Sequence, residues 1–294
     1  MFGTAAVVAL FSALSVRGAP APVTDTSIMQ YALNLEHIEL AFYNQGLEKY
    51  DAQAFADAGY EAWIRGRFVQ IRDHEVAHVD FLTEQLGCDA PVVCNYTYPY
   101  TDLQSWVSLS QTLEHVGAAA YMGASRFVDD KDVLAASVSI SHIEARQAGW
   151  VNSAVMKQEP WDGDFETPLY FSGAWSLAVG FIESCPESNP ALPVDSFPAL
   201  NVSSSAPPMG SNITVSYAGQ GNITTPTYMA WYHDMNTTFT SIDEHGVTTV
   251  PDYLRGTVFA GVVRNETETT NDSTMLSGLT IFKFPFSSYA IVGA

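Results

Sequence analysis

Leu33-Asn34-Leu35-Glu36-His37-Ile38-Glu39-Leu40-Ala41-Phe42-Tyr43 is the stretch from which the rest of this chain can be read. At its centre is Leu-Glu-His, with a tyrosine seven residues after the glutamate. The same arrangement returns at Leu113-Glu114-His115 with Tyr121. Residues i and i+7 make nearly two helical turns and share a face, so Glu36 points with Tyr43 and Glu114 with Tyr121. Each copy is followed by another segment of helical pattern, with a second glutamate and a nitrogen-bearing side chain three residues on. These are Glu75 with His78, then Glu144 with Gln147. Residues at i and i+3 are neighbours on a helix and can act on one ion. Glutamate then Glu-x-x-His, given twice in order, is the layout of a carboxylate-bridged dinuclear metal site inside a four-helix bundle.

The surrounding sequence supplies the helices. Asp25 or Thr26 can cap the first, which runs to about Tyr50 with Ile28, Leu35, Ile38 and Phe42 at helical spacing. Asp51 opens a long second helix that stops at Gly87. Pro91 to Tyr100 is a loop long enough to cross the bundle. Thr101 or Asp102 opens the third helix, ending near Val128, and Asp129-Asp130 opens the fourth, which reaches about Gln158. Thr167-Pro168 reads as the start of a fifth, shorter helix ending near Glu183. Composition then changes: six prolines and seven serines between Ser184 and Ser211 mark a linker or an extended wrapping segment. Beyond it, Ile213 to Tyr217, Tyr228 to Tyr232, Thr237 to Ile242, Thr257 to Val263 and Leu279 to Phe284 read as strands of an antiparallel sandwich. The chain as a whole is therefore expected to be α+β. Its expected parts are a helical bundle over 22–185, a linker over 186–211 and a β-sandwich-like module over 212–294.

Residues 1–21, with a short apolar core from Ala5 to Val16 and small residues at Gly18-Ala19-Pro20-Ala21, read as a secretory signal peptide. About 12 apolar residues are too few to span a bilayer. Asn-x-Ser/Thr sequons at Asn95, Asn201, Asn212, Asn222, Asn236, Asn265 and Asn271 fit a glycosylated protein secreted outside the cell or into the cell wall. Of three cysteines, Cys88 and Cys94 flank a short loop and are expected to pair in an oxidising compartment, leaving Cys185 without an evident partner. A formal net charge of −20 repels nucleic acid and anionic membranes, which excludes both as partners.

Four inward carboxylates in an apolar bundle would cost many kcal/mol uncompensated. Two divalent cations remove that cost, with carboxylates bridging them and imidazole completing the shell. Tyr43 and Tyr121 can then donate to the ligand carboxylates from behind. Glu39, Glu48, Glu61, Glu84 and His74 read instead as members of solvated helix faces. No Ser-His-Asp signature or Gly-rich phosphate loop stands out, so no catalytic residue is singled out and no organic cofactor is expected.

These motifs, together with Arg72-Asp73-His74-Glu75-Val76-Ala77-His78 and His142-Ile143-Glu144-Ala145-Arg146, resemble the secreted ferritin-like proteins abundant in fungi, which are related to stress-response and desiccation-related proteins. The resemblance covers residues 25 to about 185. It implies a ferritin-like bundle with Glu36, Glu75, His78, Glu114 and Glu144 as metal ligands. Gln147 stands where the family's usual ligand is histidine, and a neutral amide oxygen is a poor donor to iron or manganese. The expected function is a redox protein with a dinuclear iron or manganese centre, acting on dioxygen, peroxide or a small organic molecule. The alternative is a metal-free secreted scaffold that acts through its acidic, glycosylated surface. A storage cage is disfavoured by the bulky C-terminal module, whereas a homodimer or a heterodimer with a related chain is compatible with the sequence.

Overall fold

A computed structural model describes residues 21–222, 226–266 and 272–287. Residues 1–20 of the expected signal peptide, Asn271, and Thr224 and Thr267 of the Asn222 and Asn265 sequons fall outside these residues. The chain is mixed α+β, with a helical region followed by antiparallel sheets, as its residue patterns predict.

Helix α1 spans Asp25–Lys49 and is capped one residue before the expected position. There Thr24 accepts from the Ser27 amide while Ser27 returns a bond to the Thr24 backbone. This reciprocal box satisfies two orphan donors of the first turn. The second helix, expected as one piece, is two. Helix α2 (Ala52–Asp57) is followed by Gly59, whose φ of +83° turns the chain, and α3 (Ala62–Leu86) begins beyond it. Gly87, at φ +54°, stops α3. Helix α4 (Leu103–Ser125) is capped by Asp102 with Ser105, and α5 (Lys131–Trp150) by Asp130. A single π-helical turn, Val151–Val155, continues α5.

Thr167-Pro168 does not open the last helix. The Leu169 amide instead donates to the Ala119 carbonyl of α4, which holds this stretch extended, and α6 begins only at Phe171 and ends at Ala178. Gly123 permits that approach, because a Cβ there would collide with the Leu169 carbonyl.

Helices α1 and α3 pack as one pair and α4 and α5 as another, with α1 against α4. Glu36 stands thirteen residues before the end of α1, and Glu75 thirteen after the start of α3. An antiparallel return therefore brings them level. Trp106, Phe42, Phe55 and Phe68 form an aromatic floor below that level, all essentially sealed from water.

A short antiparallel pair, β1 (Asn95–Tyr96) with β2 (Ile182–Ser184), ties the α3–α4 crossover to the chain after α6. Asn95 faces Ser184 across this ladder, so the flanking residues Cys94 and Cys185 meet and form the disulfide. The expected Cys88–Cys94 bridge is thus not made. Cys88 lies exposed on the turn after Gly87 as a free thiol.

The C-terminal part has two sheets. One is ordered β3–β4–β7 (Asn201–Val202, Asn212–Ser216, Val247–Thr249). The other is ordered β6–β5–β8–β9 (Asn236–Ile242, Thr227–His233, Gly256–Val263, Thr280–Phe284), and every pairing is antiparallel. Strand side chains alternate between faces. Met229, Trp231, Val258, Ala260 and Val262 meet Ile213 and Val215 of the other sheet in a sandwich core. Their neighbours Ala230, Tyr232, Phe259 and Val263 face the opposite way and join the helical core itself. That double burial explains why β8 is apolar at nearly every position. The proline- and serine-rich stretch also packs: Leu192, Val194 and Phe197 lie on the helical core, and Asp195 and Gly278 backbone amides bond Ser172 and Pro198. Of the two readings of this stretch, the wrapping segment matches the structure. Among the described residues no helix is long and apolar enough to cross a membrane.

Candidate metal centre

The four paired helices deliver Glu36 from α1, Glu75 and His78 from α3, Glu114 from α4 and Glu144 from α5 to one level of the bundle. All four glutamates are fully buried. Glu36, Glu75, His78 and Glu144 each present a ligand atom within 4.8 Å of the others. Nδ1 of His78 lies 3.0 Å from Glu75 Oε2 and 3.2 Å from Glu36 Oε2. Glu114 stands beside this group, and its charge couples most strongly with that of Glu75.

The tyrosines cross over. Tyr43 of α1 donates to Glu114 of α4, and Tyr121 of α4 donates to Glu36 of α1. Each repeat therefore orients the glutamate of the other. Burial and the adjacent carboxylates push both phenols well above their ordinary range, so they stay protonated donors.

One residue expected on a solvated helix face belongs here. Glu39, read as a surface residue, is 3% exposed and carries an unpartnered carboxylate oxygen. The available signal was its i+3 relation to Glu36, the same spacing that joins Glu75 to His78. Gly117 makes the room: a Cβ there would lie 2.8 Å from both Glu39 Oε1 and Glu144 Oε2. Glu48, Glu61 and Glu84 are exposed as expected. His74 lies on the outer rim but is not idle, because Gln147 Nε2 sits 3.0 Å from its Nδ1. The same Gln147 nitrogen also donates to Glu75 Oε1 at 3.4 Å, while the amide oxygen has no partner. Gln147 thus reaches the cluster through its donor end.

The electrostatics follow from burial. Removal from water raises Glu39, Glu114 and Glu144 far above the ordinary carboxylate range, and their mutual repulsion adds to it. Glu75 is raised to about 8 by burial, against the pull of the His78 hydrogen bond. Burial lowers His78, but its bonds to Glu36 and Glu75 outweigh this and carry it to about 10. Glu39 Oε2, Glu114 Oε2, both Glu144 oxygens and Gln147 Oε1 have no hydrogen-bond partner. Every one of these buried atoms is an acceptor. Buried polar atoms are almost always satisfied, and acceptors packed against acceptors are satisfied by cations or by protons of their own. Hard oxygen donors with one imidazole suit iron or manganese, so the residues present fit such ions.

Residues 24–157 match the family described as a ferritin-like domain, and the helical region is accordingly a ferritin-like domain with a buried carboxylate–histidine cluster that could hold metal. A relative is Protein rds1 of Schizosaccharomyces pombe, 32% identical over 190 residues. That alignment covers 65% of this chain and 46% of the relative, so the chain spans about half the relative's length.

Proposed function

We propose that this chain is a secreted redox metalloprotein holding a dinuclear iron or manganese centre in its bundle. Glu36, Glu75, His78, Glu114 and Glu144 would be the ligands, with Glu39 as a further carboxylate at the same level and Gln147 at the rim. The observation that carries this reading is the set of unpartnered acceptors, which two divalent cations would satisfy together. Bound there, iron or manganese supplies one-electron chemistry towards dioxygen or peroxide. The protein's part is to exclude bulk water, keep Tyr43 and Tyr121 as neutral donors and hold the carboxylates in register. A largely apolar cavity of about 430 Å³, lined by Ile28, Met29, Leu82, Val133 and Ile140, reaches Tyr121 and offers a small organic molecule a place beside the centre. Export fits the Cys94–Cys185 disulfide and the exposure of Asn95, Asn201, Asn212 and Asn236 at strand positions.

Gln147 favours one competing reading, a metal-free scaffold in which the carboxylates are protonated. Element analysis of protein produced with iron and manganese present separates the two. About two equivalents per chain are expected, and less than about a tenth of an equivalent would sink the metal reading. Glu75→Ala adds a second arm. A metal site loses metal and thermal stability together, whereas a scaffold gains stability on losing a buried carboxylate.

A further inference from the structure

A second cluster lies on the far side of α4, where the helices meet the sandwich. His115, the residue after Glu114, is 8% exposed, and its Nε2 lies 3.1 Å from Asp162 Oδ2 and 3.9 Å from Glu166 Oε2. Asp162 is 6% exposed, while the Glu166 side chain is 42% exposed and closes the cluster from the solvent side. His115 Nε2 and Asp162 Oδ2 face each other as an ion pair outside good hydrogen-bond geometry and have no other partner, and Oδ1 of the equally buried Asn152 has none at all. Asn152 comes from the π-helical turn that ends α5, a feature that often re-aims side chains at functional sites. All four residues line a cavity of about 10 Å³, enough for a single ion or water. Among the described residues, His115 is the only ion-pair partner of either carboxylate. Lys283, whose charge reaches Asp162, gives its hydrogen bond to Gln111 instead.

We propose that His115, Asp162 and Glu166, with the Asn152 amide oxygen, form a mononuclear divalent-cation site of the zinc type that pins the helical bundle to the sandwich. One imidazole nitrogen and carboxylate oxygens, with an amide or water in the fourth position, suit zinc. Two atoms bound at about 2.1 Å in tetrahedral geometry lie about 3.4 Å apart, between the two separations observed. The position of Asp162 is fixed from the other side, because its Oδ1 accepts from the Thr257 amide of β8 at 2.6 Å. An ion held here therefore joins α4, the 160s loop and the central sheet through one carboxylate. It is independent of the bundle centre, from which it draws no ligand.

The test uses the full chain stripped with chelator and titrated with cobalt(II) as a spectroscopic stand-in for zinc, in a Glu75→Ala background that silences the bundle centre. One equivalent is expected, with the visible band of four-coordinate cobalt, displaced by zinc. Asp162→Asn and Glu166→Gln should each weaken binding at least ten-fold. Absence of any band, or binding indifferent to both substitutions, overturns the proposal and leaves a hydrated His–Asp pair. Should Glu75→Ala fail to fold, zinc stoichiometry of the unmodified chain is compared with that of Glu166→Gln, whose side chain is half open and tolerant of change. The proposal then requires the loss of one equivalent, and equal stoichiometry refutes it.

Discussion

At the scale of single residues, the bundle centre is governed by which oxygen holds which proton. Tyr43→Phe leaves Glu114 Oε1 as bare as its Oε2, and Tyr121→Phe strips Glu36 Oε1 of its donor while His78 still faces its Oε2. Each should cost about 1–3 kcal/mol of stability in the metal-free chain, read from urea unfolding. Each should also weaken manganese binding by about 10–100-fold, read by calorimetry, as expected when a partner behind a ligand is removed. Gln147→His predicts the opposite sign. An imidazole replaces an amide whose oxygen is unpartnered and whose nitrogen merely props Glu75 and His74, so manganese affinity should rise at least ten-fold. Equal affinity would show that position 147 is too far out to act as a ligand. The glutamates and tyrosines were legible because i+7 and i+3 spacing is a property of any helix. Glu39 was not, because one stripe of charge on a helix reads alike whether solvent or another carboxylate faces it.

At the scale of elements, the crossover between α3 and α4 is held by a ladder of two short strands and one disulfide. The Cys94–Cys185 bridge closes a separation of 91 residues, for which chain-entropy arguments give about 4–5 kcal/mol. Cys185→Ala should lower the melting temperature markedly, while Cys88→Ala should leave it unchanged. In the native oxidised protein a thiol reagent should find one reactive cysteine, Cys88. Two short-range cues misled the reading of this region. A five-residue loop between Cys88 and Cys94 looks closable, and nothing local in Ile182–Ser184 announces a strand that pairs with residues nearly ninety positions earlier. The capping residues Asp51, Asp102 and Asp130 were legible because a cap is settled within three residues. The true start of α6 was not, since it is set by a contact between Leu169 and Ala119 across the bundle.

At the scale of the whole molecule, a cluster of carboxylates in the interior makes stability depend on pH. Glu39, Glu75, Glu114 and Glu144 bind protons more tightly folded than unfolded. Their stabilising share is full below the ordinary carboxylate range and is lost as pH rises, for Glu75 through about 8. His78, raised to about 10, acts in the same sense, its share being full below the ordinary imidazole range and lost towards that value. The metal-free chain should therefore melt lower at pH 8.5 than at pH 6, by on the order of 5–10 °C. Loading with manganese should flatten the curve and release protons, measurable in weak buffer. A metal-free curve that rises over this interval would contradict the raised proton affinity of these carboxylates.

The face that β5 and β8 turn towards the helices has a consequence for how the polypeptide comes into being. During synthesis the four long helices leave the ribosome well before Phe259 and Val263 exist to complete the helical core, Phe259 against His115 of α4. For that interval the nascent bundle carries an uncovered greasy flank, and the cluster on α4 that awaits Thr257 is unfinished. The family match, which ends at residue 157, therefore stops short of the strands that complete the helical core.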